Sequence, residues 1–200
     1  MKYYIDIQLI ADAEVSLGFI WQKVYAQMHL ALVASKDNND KVDIAFSFPL
    51  YQKDKFPLGN ILRVFSSSSE KLEALEISKY LNRLEEYISI SVIKSVPDAI
   101  NGYASFSRKN FKSNADIRRL VKRFATRNNI TEEEALTNYR NTEDKYLKLK
   151  EDNKLPFINI KSLSTNKYLK IFIFKEDKKS EEKGLFNTFG LSKTATIPIF

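Results

Sequence analysis

Apolar and polar positions alternate at the start of the chain and then change to a helical spacing. The apolar residues of the first segment recur at every second position: Tyr3, Ile5, Ile7 and Leu9. This period of two predicts a strand with one buried face. From Ser16 to about Ala34 the apolar residues recur at intervals of three and four, which predicts an amphipathic helix.

The next sixty residues continue the alternation of strands and helices. Their predicted elements are a strand over 41–49 ended by Pro49, a strand over 60–66, a helix over 68–87 and a strand over 88–96. The order β-α-β-β-α-β over residues 1–97 is that of a ferredoxin-like domain. This fold supports many functions, RNA recognition among them, so it assigns none by itself.

Residues 98–200 form a second predicted domain of the α/β type, and the chain as a whole is predicted to be α+β. Pro97 and Gly102 interrupt the periodicity between the two halves. The second half contains predicted helices over 114–127 and from Thr131, predicted strands over 156–164 and 167–175, and an apolar tail. Thr131 and Glu134 have the spacing of a capping box, as do Ser113 and Asp116.

The composition of the chain restricts the cellular compartments in which we expect the protein. The chain has no cysteine, which excludes disulfides and thiolate metal ligands and favours a reducing compartment. No signal peptide is visible at the start, and no apolar run approaches the ~20 residues that span a bilayer. We therefore expect a cytoplasmic protein without a membrane partner.

The charge of the chain is concentrated in one segment. Residues 105–127 contain eight Lys or Arg and one acid, so they carry +7, while the remaining 24 basic and 24 acidic residues cancel. A local excess of this kind indicates a polyanionic partner, whereas a diffuse one would indicate solubility alone.

The basic segment is predicted to form a two-sided helix. One face is apolar: Ile117, Leu120, Val121 and Phe124. The other face carries the cations: Arg118, Arg119, Lys122, Arg123 and Arg127. Solvated helix faces usually mix charges of both signs, but only Asp116 is acidic here. This pattern favours nucleic-acid binding through phosphate contacts, which would make affinity depend steeply on salt.

His29 is the single histidine, and it lies in the apolar stretch "AQMHLALVA" of the first helix. A lone helical histidine is more often structural, but an imidazole also suits the role of a general base near neutral pH. A zinc site would need several clustered ligands, and none cluster in this sequence. A magnesium site built from carboxylates stays open as an alternative, but no acidic motif has convincing spacing, so we expect neither metal nor other cofactor. RNA offers a metal-free reaction, because its own 2′-hydroxyl can attack the adjacent phosphate.

Six short stretches in order give the chain a family resemblance. They are "HLALVA", "FSFP", "SRKNFKSN", "TEEEA", "LPFINIKSLST" and the terminal "FGLSK" with "PIF". With these motifs the chain resembles the endoribonuclease of type I-F CRISPR systems that processes precursor CRISPR RNA. The resemblance implies cleavage at the base of each repeat hairpin without metal, leaving a 2′,3′-cyclic phosphate. It also implies retention of the mature CRISPR RNA hairpin and assembly with the other subunits of the type I-F surveillance complex.

The resemblance also implies roles for individual residues. The catalytic histidine falls on His29, and the serine that orients the 2′-hydroxyl falls on Ser162, with Ser164 as its neighbour. The pair that reads the lower stem falls on Arg108 and Asn110, where the family usually has glutamine at the second position.

Three departures from the family pattern leave alternatives open. One concerns the basic helix, which aligns with the family in two registers because the loop between it and "TEEEA" is longer here, so the cationic face is predicted more firmly than its individual arginines. Phe189 stands where the family has a tyrosine beside the histidine, so its ring has no hydroxyl. Leu169 stands where the family has a stacking aromatic, and Tyr168 is its neighbour on the other strand face. The main alternative is therefore a non-catalytic hairpin-RNA-binding subunit of the same complex. A DNA-binding regulator is disfavoured because no helix-turn-helix arrangement is predicted.

Overall fold

The structure of the 200-residue chain is a computed structural model that describes residues 1–111, 114–151, 155–161, 166 and 168–200. The chain divides into two compact units. The first unit consists of residues 1–108 and 156–200, and the second of residues 109–155. The predicted boundary between functional domains at residue 97 stays a prediction. The two compact units are defined by contacts between residues, and such contacts do not assign a function to either unit.

Helices and strands are mixed throughout, so the protein is α+β as expected. Up to the second unit the elements are β1 (Tyr3–Leu9), α1 (Leu17–Ala34), β2 (Lys41–Val42), β3 (Ile44–Ser47), β4 (Ile61–Ser66), α2 (Ser69–Ala74), α3 (Ile77–Leu81), a 3₁₀ helix (Asn82–Tyr87), β5 (Ile88–Ile90), β6 (Lys94–Ser95) and β7 (Gly102–Lys109). The remaining elements are α4 (Asn114–Asn128), α5 (Glu132–Glu151), β8 (Phe157–Lys161), β9 (Tyr168–Lys178), β10 (Phe186–Asn187) and β11 (Ile197–Ile199). Among the described residues, every helix is too short or too polar to cross a membrane.

The first sheet has the strand order β3-β4-β1-β5, and β6 also pairs with β1. All of these pairings are antiparallel, with Ile5 opposite Val64 and Ile7 opposite Leu62. The predicted alternation in the first strand is confirmed, since Ile5, Ile7 and Leu9 are all buried. They belong to the same core as the buried face of α1.

The first helix begins where the sequence predicts. Ser16 precedes it in an extended conformation, and its Oγ accepts a hydrogen bond from the Phe19 amide at 3.4 Å. Its buried face consists of Ile20, Trp21, Val24, Tyr25, Met28, Ala31 and Leu32. The helix packs against both α3 and β8.

The helix predicted over 68–87 is broken, and the prediction of one continuous helix is wrong. α2 ends at Ala74, and Glu76 adopts a left-handed conformation (φ 46°) before α3 begins. Leu75 and Ile77 are both buried. Two positions two residues apart point to different sides of a continuous helix, so the break allows both side chains to enter the same core.

Two predicted strands are also divided. The strand predicted over 41–49 changes partner at Asp43, where β2 pairs with β10 and β3 pairs with β4. The Asp43 carboxylate accepts hydrogen bonds from Lys71 (2.6 Å) and Ser67, which hold the chain at this switch. The strand predicted over 88–96 becomes β5 and β6, which pair with opposite ends of β1.

The second sheet has the order β11-β7-β9-β8 and contains a strand that the sequence pattern did not predict. That strand is β7, whose residues Ala104 to Ser107 are all buried. A strand that is buried on both faces does not show the alternation of apolar and polar residues that identifies a half-exposed strand. In β7 the buried residues include two serines, so the segment lacks the continuous apolar run that would otherwise indicate a buried strand. The apolar tail returns to this sheet, with Ile197 opposite Ala104.

The second unit is a pair of helices. α4 and α5 pack through Val121, Ala125 and Ala135. The capping box of α5 is confirmed, because Glu134 accepts from the Thr131 amide (2.9 Å) and Thr131 Oγ1 accepts from the Glu134 amide (3.2 Å). Ser113, the predicted cap of α4, lies outside the described residues. The apolar face predicted for α4 needs one correction, since Phe124 is 43% exposed and Ala125 takes its place in the core.

Candidate active site

His29 lies near the end of α1 and is half-buried. Its Nδ1 is 2.7 Å from the backbone carbonyl oxygen of Thr188. A carbonyl oxygen only accepts hydrogen bonds, so we assign the proton of the neutral imidazole to Nδ1. Nε2 then carries the lone pair. The structure thus presents the nitrogen that can act as a base away from the anchoring carbonyl.

The ring of Phe189 fixes the plane of this imidazole. The two ring centroids are 4.1 Å apart and the planes differ by 1°, which is a parallel stack. Together with the hydrogen bond to Thr188, the stack restricts both the tilt and the rotation of the His29 ring. Phe189 therefore supplies the aromatic wall that the sequence predicts, without a hydroxyl.

The turn that carries these two partners is itself held tightly. Asn187 Oδ1 accepts hydrogen bonds from the amides of Phe189 (2.9 Å) and Leu191 (3.2 Å). Gly190 has φ 69°, and a Cβ at this position would lie 2.4 Å from Cγ of Phe46. The Phe46 amide donates to the Gly190 carbonyl at 2.8 Å. These contacts hold residues 187–191, and with them the Thr188 carbonyl, against β3.

Tyr25 provides a second connection between α1 and the same turn. It is one helical turn before His29, and its hydroxyl donates to the Phe189 carbonyl at 2.9 Å. The side chain is fully buried, and burial raises the pKa of Tyr25 above its usual value. The phenol therefore remains protonated and serves to hold the turn in place.

Arg108 brings a cation to the same aromatic ring. Its guanidinium carbon lies over the Phe189 ring, 5.2 Å from the centroid. Burial lowers the pKa of Arg108 from its usual value, but a guanidinium stays charged at neutral pH. Its Nε is buried and has no hydrogen-bond partner among the described residues. Arg108 as a whole is only half-buried, and a guanidinium is a cation to which phosphate and base oxygens bind well.

The structure brings only some of the predicted site residues together. His29, Phe189 and Arg108 meet around one ring. Ser162 and Ser164 lie outside the described residues. Asn110 belongs to the second unit, where it is exposed and follows β7.

The cations of α4 all face solvent. These residues are Arg118, Arg119, Lys122, Arg123 and Arg127, and each is exposed. Asp116 lies 3.7 Å from Arg119, in an ion pair whose side chains are 54% and 76% exposed. Such an exposed pair contributes little to stability. The predicted exposure of these cations is confirmed, while their binding of a polyanion stays a prediction.

The arrangement around His29 can carry out proton transfer beside a bound anion. A neutral imidazole with one anchored nitrogen can accept a proton at the other, and the Thr188 carbonyl then stabilises the cation that forms. Arg108 can attract a phosphate to the same place. Within the described ranges, no group of three or more His, Asp or Glu side chains is placed to hold a metal ion.

Three contributors to this site were missed by sequence reasoning. They are the Thr188 carbonyl, the Tyr25 hydroxyl and the turn formed by Asn187 and Gly190. The stretch "FNTFGL" does contain a turn signal, since asparagine and glycine are the residues that tolerate or stabilise such bends. Nothing local indicated that this turn would meet a helix about 160 residues earlier in the chain.

Comparisons with known proteins cover the whole chain. A family model described as "CRISPR-associated protein (Cas_Csy4)" matches residues 4–200. The sequence is 35% identical over 201 residues to a "CRISPR-associated endonuclease Cas6/Csy4" of Escherichia coli (strain UTI89 / UPEC), covering 100% of both chains. It is 30% identical, again over 100% of both chains, to a protein of the same description from Pseudomonas aeruginosa (strain UCBPP-PA14).

Proposed function

The chain belongs to the Cas_Csy4 family of CRISPR-associated proteins, and on this premise we propose that it is an endoribonuclease that processes precursor CRISPR RNA. It cuts at the base of each repeat hairpin and then stays bound to the hairpin of the mature CRISPR RNA. The observation that carries the proposal is the anchored imidazole of His29, held by the Thr188 carbonyl and stacked on Phe189.

The proposed reaction is an internal transesterification that needs no metal ion. Nε2 of His29 removes the proton from the 2′-hydroxyl, and the 2′-oxygen attacks the adjacent phosphorus. The bond from phosphorus to the 5′-oxygen of the next nucleotide breaks, and that oxygen receives a proton from the His29 imidazolium or from water. The products are a 2′,3′-cyclic phosphate and a 5′-hydroxyl.

The predicted site residues have distinct parts in this reaction. Ser162, with Ser164 beside it, orients the 2′-hydroxyl. While it contacts a base edge of the lower stem, Arg108 also brings a positive charge near the phosphate, where negative charge develops during the reaction. The hydrogen bond from Nδ1 to Thr188 keeps Nε2 directed at the reacting oxygen.

RNA recognition is assigned to the end of β7 and to α4. Arg108 and Asn110 contact base edges in the lower stem, where arginine suits guanine and a carboxamide suits adenine. The α4 cations contact phosphates along the stem. Phosphate contacts position the hairpin, and the base contacts provide the sequence preference.

The proposal extends to fold and assembly. The strand order of the first sheet supports a ferredoxin-like arrangement of residues 1–97, with residues 98–200 supplying the RNA-binding elements. The other subunits of a type I-F surveillance complex are the proposed protein partners. Retaining the hairpin after cleavage would leave the enzyme attached to the RNA that the complex uses.

The alternative function is a hairpin-RNA-binding subunit without cleavage. Phe189 is the one sequence feature that favours it, because its ring has no hydroxyl to donate a hydrogen bond to His29. One experiment separates the two functions. Repeat RNA is incubated with the protein in EDTA, and the products are examined for a 2′,3′-cyclic phosphate end. Cleavage in EDTA is expected, whereas tight binding without cleavage would contradict the nuclease and leave the binding subunit.

A further inference from the structure

One peptide group links His29 to the side chain of Asn187. Its carbonyl is that of Thr188, whose oxygen lies 2.7 Å from Nδ1 of His29. Its N–H is that of Phe189, which donates to Oδ1 of Asn187 at 2.9 Å. The two bonds leave from opposite ends of one planar unit, so the Asn187 side chain restricts the plane in which the Thr188 oxygen can lie.

The same side-chain oxygen also closes the turn that follows. Oδ1 of Asn187 accepts a second hydrogen bond, from the Leu191 amide at 3.2 Å. On the main chain, the Asn187 amide donates to the Leu191 carbonyl at 3.0 Å, and the Gly190 amide donates to the Asn187 carbonyl at 2.8 Å. The half-buried carboxamide of Asn187 is thus the side chain around which this turn is built.

The chain contains a second turn with the same hydrogen bonds. Oδ1 of Asp37 accepts from the amides of Asn39 (2.9 Å) and Lys41 (2.7 Å), which lie two and four residues later. The Asp37 amide donates to the Lys41 carbonyl at 2.8 Å, and the Asp40 amide donates to the Asp37 carbonyl at 3.1 Å. Asp40, the fourth residue of this turn, is left-handed (φ 58°), as is the fourth residue of the turn over 187–191. A turn of this build is a local structure that a side-chain oxygen stabilises, and it implies no function by itself.

The turn over 187–191 differs from the turn over 37–41 in its contacts with the imidazole. Within the part of the chain that the structure describes, the His29 ring is held by the Thr188 carbonyl and by the ring of Phe189, and residues 37–41 take no part in these contacts. Both partners of the imidazole lie between the ends of the turn over 187–191. If that turn loosens, both partners of His29 therefore lose their positions together.

We propose that Asn187 is a positioning residue for His29, an inference whose effect on cleavage rests on the proposed function. The Asn187 side chain orients the Thr188 carbonyl, and that carbonyl keeps the imidazole proton on Nδ1 and the lone pair on Nε2. Hydrogen bonds in a chain polarise one another, so the bond that Asn187 accepts from the same peptide group also makes the Thr188 oxygen a better acceptor. Asn187 acts through this peptide group and not by contact with the substrate.

NMR spectra of the imidazole test this inference on the protein without RNA. Because His29 is the single histidine of the chain, protein labelled with ¹⁵N-histidine gives the signals of one ring. At about pH 8.5, where a free imidazole is neutral, protonated and unprotonated ring nitrogens have widely separated ¹⁵N shifts. The unchanged protein should show a protonated Nδ1 and an unprotonated Nε2. Asn187→Ala should bring the two shifts closer together, because both tautomers become populated.

Cleavage and binding assays examine the same variant in the proposed reaction. Under single-turnover conditions with saturating protein, Asn187→Ala should cleave repeat RNA about tenfold more slowly, since small displacements of a reacting group have effects of at least this size. The dissociation constant for a repeat hairpin with a 2′-deoxy nucleotide at the cut should change less than about twofold, because the cations of α4 are untouched. A positioning role thus lowers the rate without lowering the affinity.

Two further variants separate positioning from a general loss of stability. Asp37→Ala removes the same two side-chain hydrogen bonds from the matching turn, so it should lower the unfolding midpoint by a similar amount. Its ¹⁵N shifts should equal those of the unchanged protein, and its cleavage rate should change less than about twofold. Asn187→Asp keeps an oxygen that can accept both bonds, as Asp37 does in its own turn, so it should retain the protonated Nδ1 and cleave faster than Asn187→Ala. Thermal unfolding compares the stability of the three variants.

Several results would overturn the inference. They are an unprotonated Nδ1 in the unchanged protein, ¹⁵N shifts that stay the same in Asn187→Ala, equal changes in Asp37→Ala, or a loss in Asn187→Asp as large as in Asn187→Ala. A rate that falls only as far as hairpin affinity falls would assign Asn187 to RNA binding and contradict a positioning role. Failure of the unchanged protein to cleave would contradict the proposed function, and the ¹⁵N shifts alone would then decide whether Asn187 positions His29.

Discussion

The surroundings of His29 and the cationic face of α4 are built in opposite ways. His29 is oriented by Thr188 and Phe189, which are about 160 residues later in the chain. The cations of α4 belong to one continuous helix of fifteen residues, and local spacing alone puts them on one side. The first region depends on long-range packing, whereas the second depends on a local pattern.

This difference separates the two tasks of the proposed enzyme. Proton transfer needs one atom held in one position, and only a packed core and a fixed turn provide that precision. Attraction of a polyanion needs several charges on one surface and tolerates small movements of each. Substitutions around His29 should therefore change the rate of cleavage, and substitutions on α4 should change affinity.

The largest expected effect is that of His29→Ala. Removing the imidazole should lower the rate of cleavage by about 10²–10⁴-fold, the usual contribution of a general base. Affinity for the uncleaved hairpin should stay within about twofold, because α4 is untouched. Single-turnover cleavage and a binding assay measure the two quantities. Gln27→Ala, on the same turn of α1, is the control. An active His29→Ala variant would show that the anchored imidazole is structural.

Gly190→Ala should damage the His29 region through packing alone. The new Cβ would lie 2.4 Å from Phe46 Cγ, and alanine is strained at φ 69°. We expect the free energy of unfolding to fall by about 3 kcal/mol, combining the left-handed backbone with overpacking. Thermal unfolding measures this loss.

The matched control for that prediction is Gly18→Ala in the first turn of α1. A Cβ at Gly18 would meet only the Phe56 side chain at 3.6 Å, so stability should be unchanged or raised by up to about 1 kcal/mol. Equal unfolding midpoints for the two variants would mean that the turn is not tightly held.

Arg119→Gln with Arg123→Gln should weaken binding about tenfold without slowing the cleavage of RNA that is already bound. The two side chains are one helical turn apart on the exposed face of α4. The slope of log affinity against log salt should fall by about 1.8, or 0.9 for each lost phosphate contact on a duplex. Lys36→Gln with Lys79→Gln removes the same charge from the first unit. An equal loss in that variant would mean that only net charge matters.

The smallest expected effect is a local response of α5 to pH. The Glu134 carboxylate accepts hydrogen bonds from the Thr131 amide and from the Thr131 hydroxyl. These two bonds, the first having the larger effect, hold the pKa of Glu134 below its usual value of 4.5. A depressed pKa in the folded state means that the cap stabilises the helix above pH 4.5. This stabilisation disappears as the pH falls through the lower value of the folded state.

The amide resonance of Thr131 in NMR spectra measures that response. It should shift as the pH falls below 4.5 in the unchanged protein, and it should remain still in Glu134→Gln, which keeps the cap without a titrating group. A shift of equal size in the glutamine variant would assign the titration to another carboxylate.

Elements with a strong local pattern were predicted well, and others were not. The alternation of β1 and the helical spacing of α1 persist because each has one buried and one exposed face. β7 was missed, and the helix over 68–87 was predicted as one piece. In both cases the tertiary core decides, since β7 is buried on both sides and the break at Glu76 lets Leu75 and Ile77 enter the same core.

By itself the sequence determined the strand and helix order of the first half, the cationic face of α4 and the capping box at Thr131. It also showed that His29 is the single histidine of the chain. These features follow from residue types at short, regular spacings. Only the tertiary structure decided that the Thr188 carbonyl anchors Nδ1, that Phe189 stacks on the imidazole and that Arg108 reaches the same ring. Such contacts join residues far apart in the chain, and they form only when the sheets and α1 pack into one core.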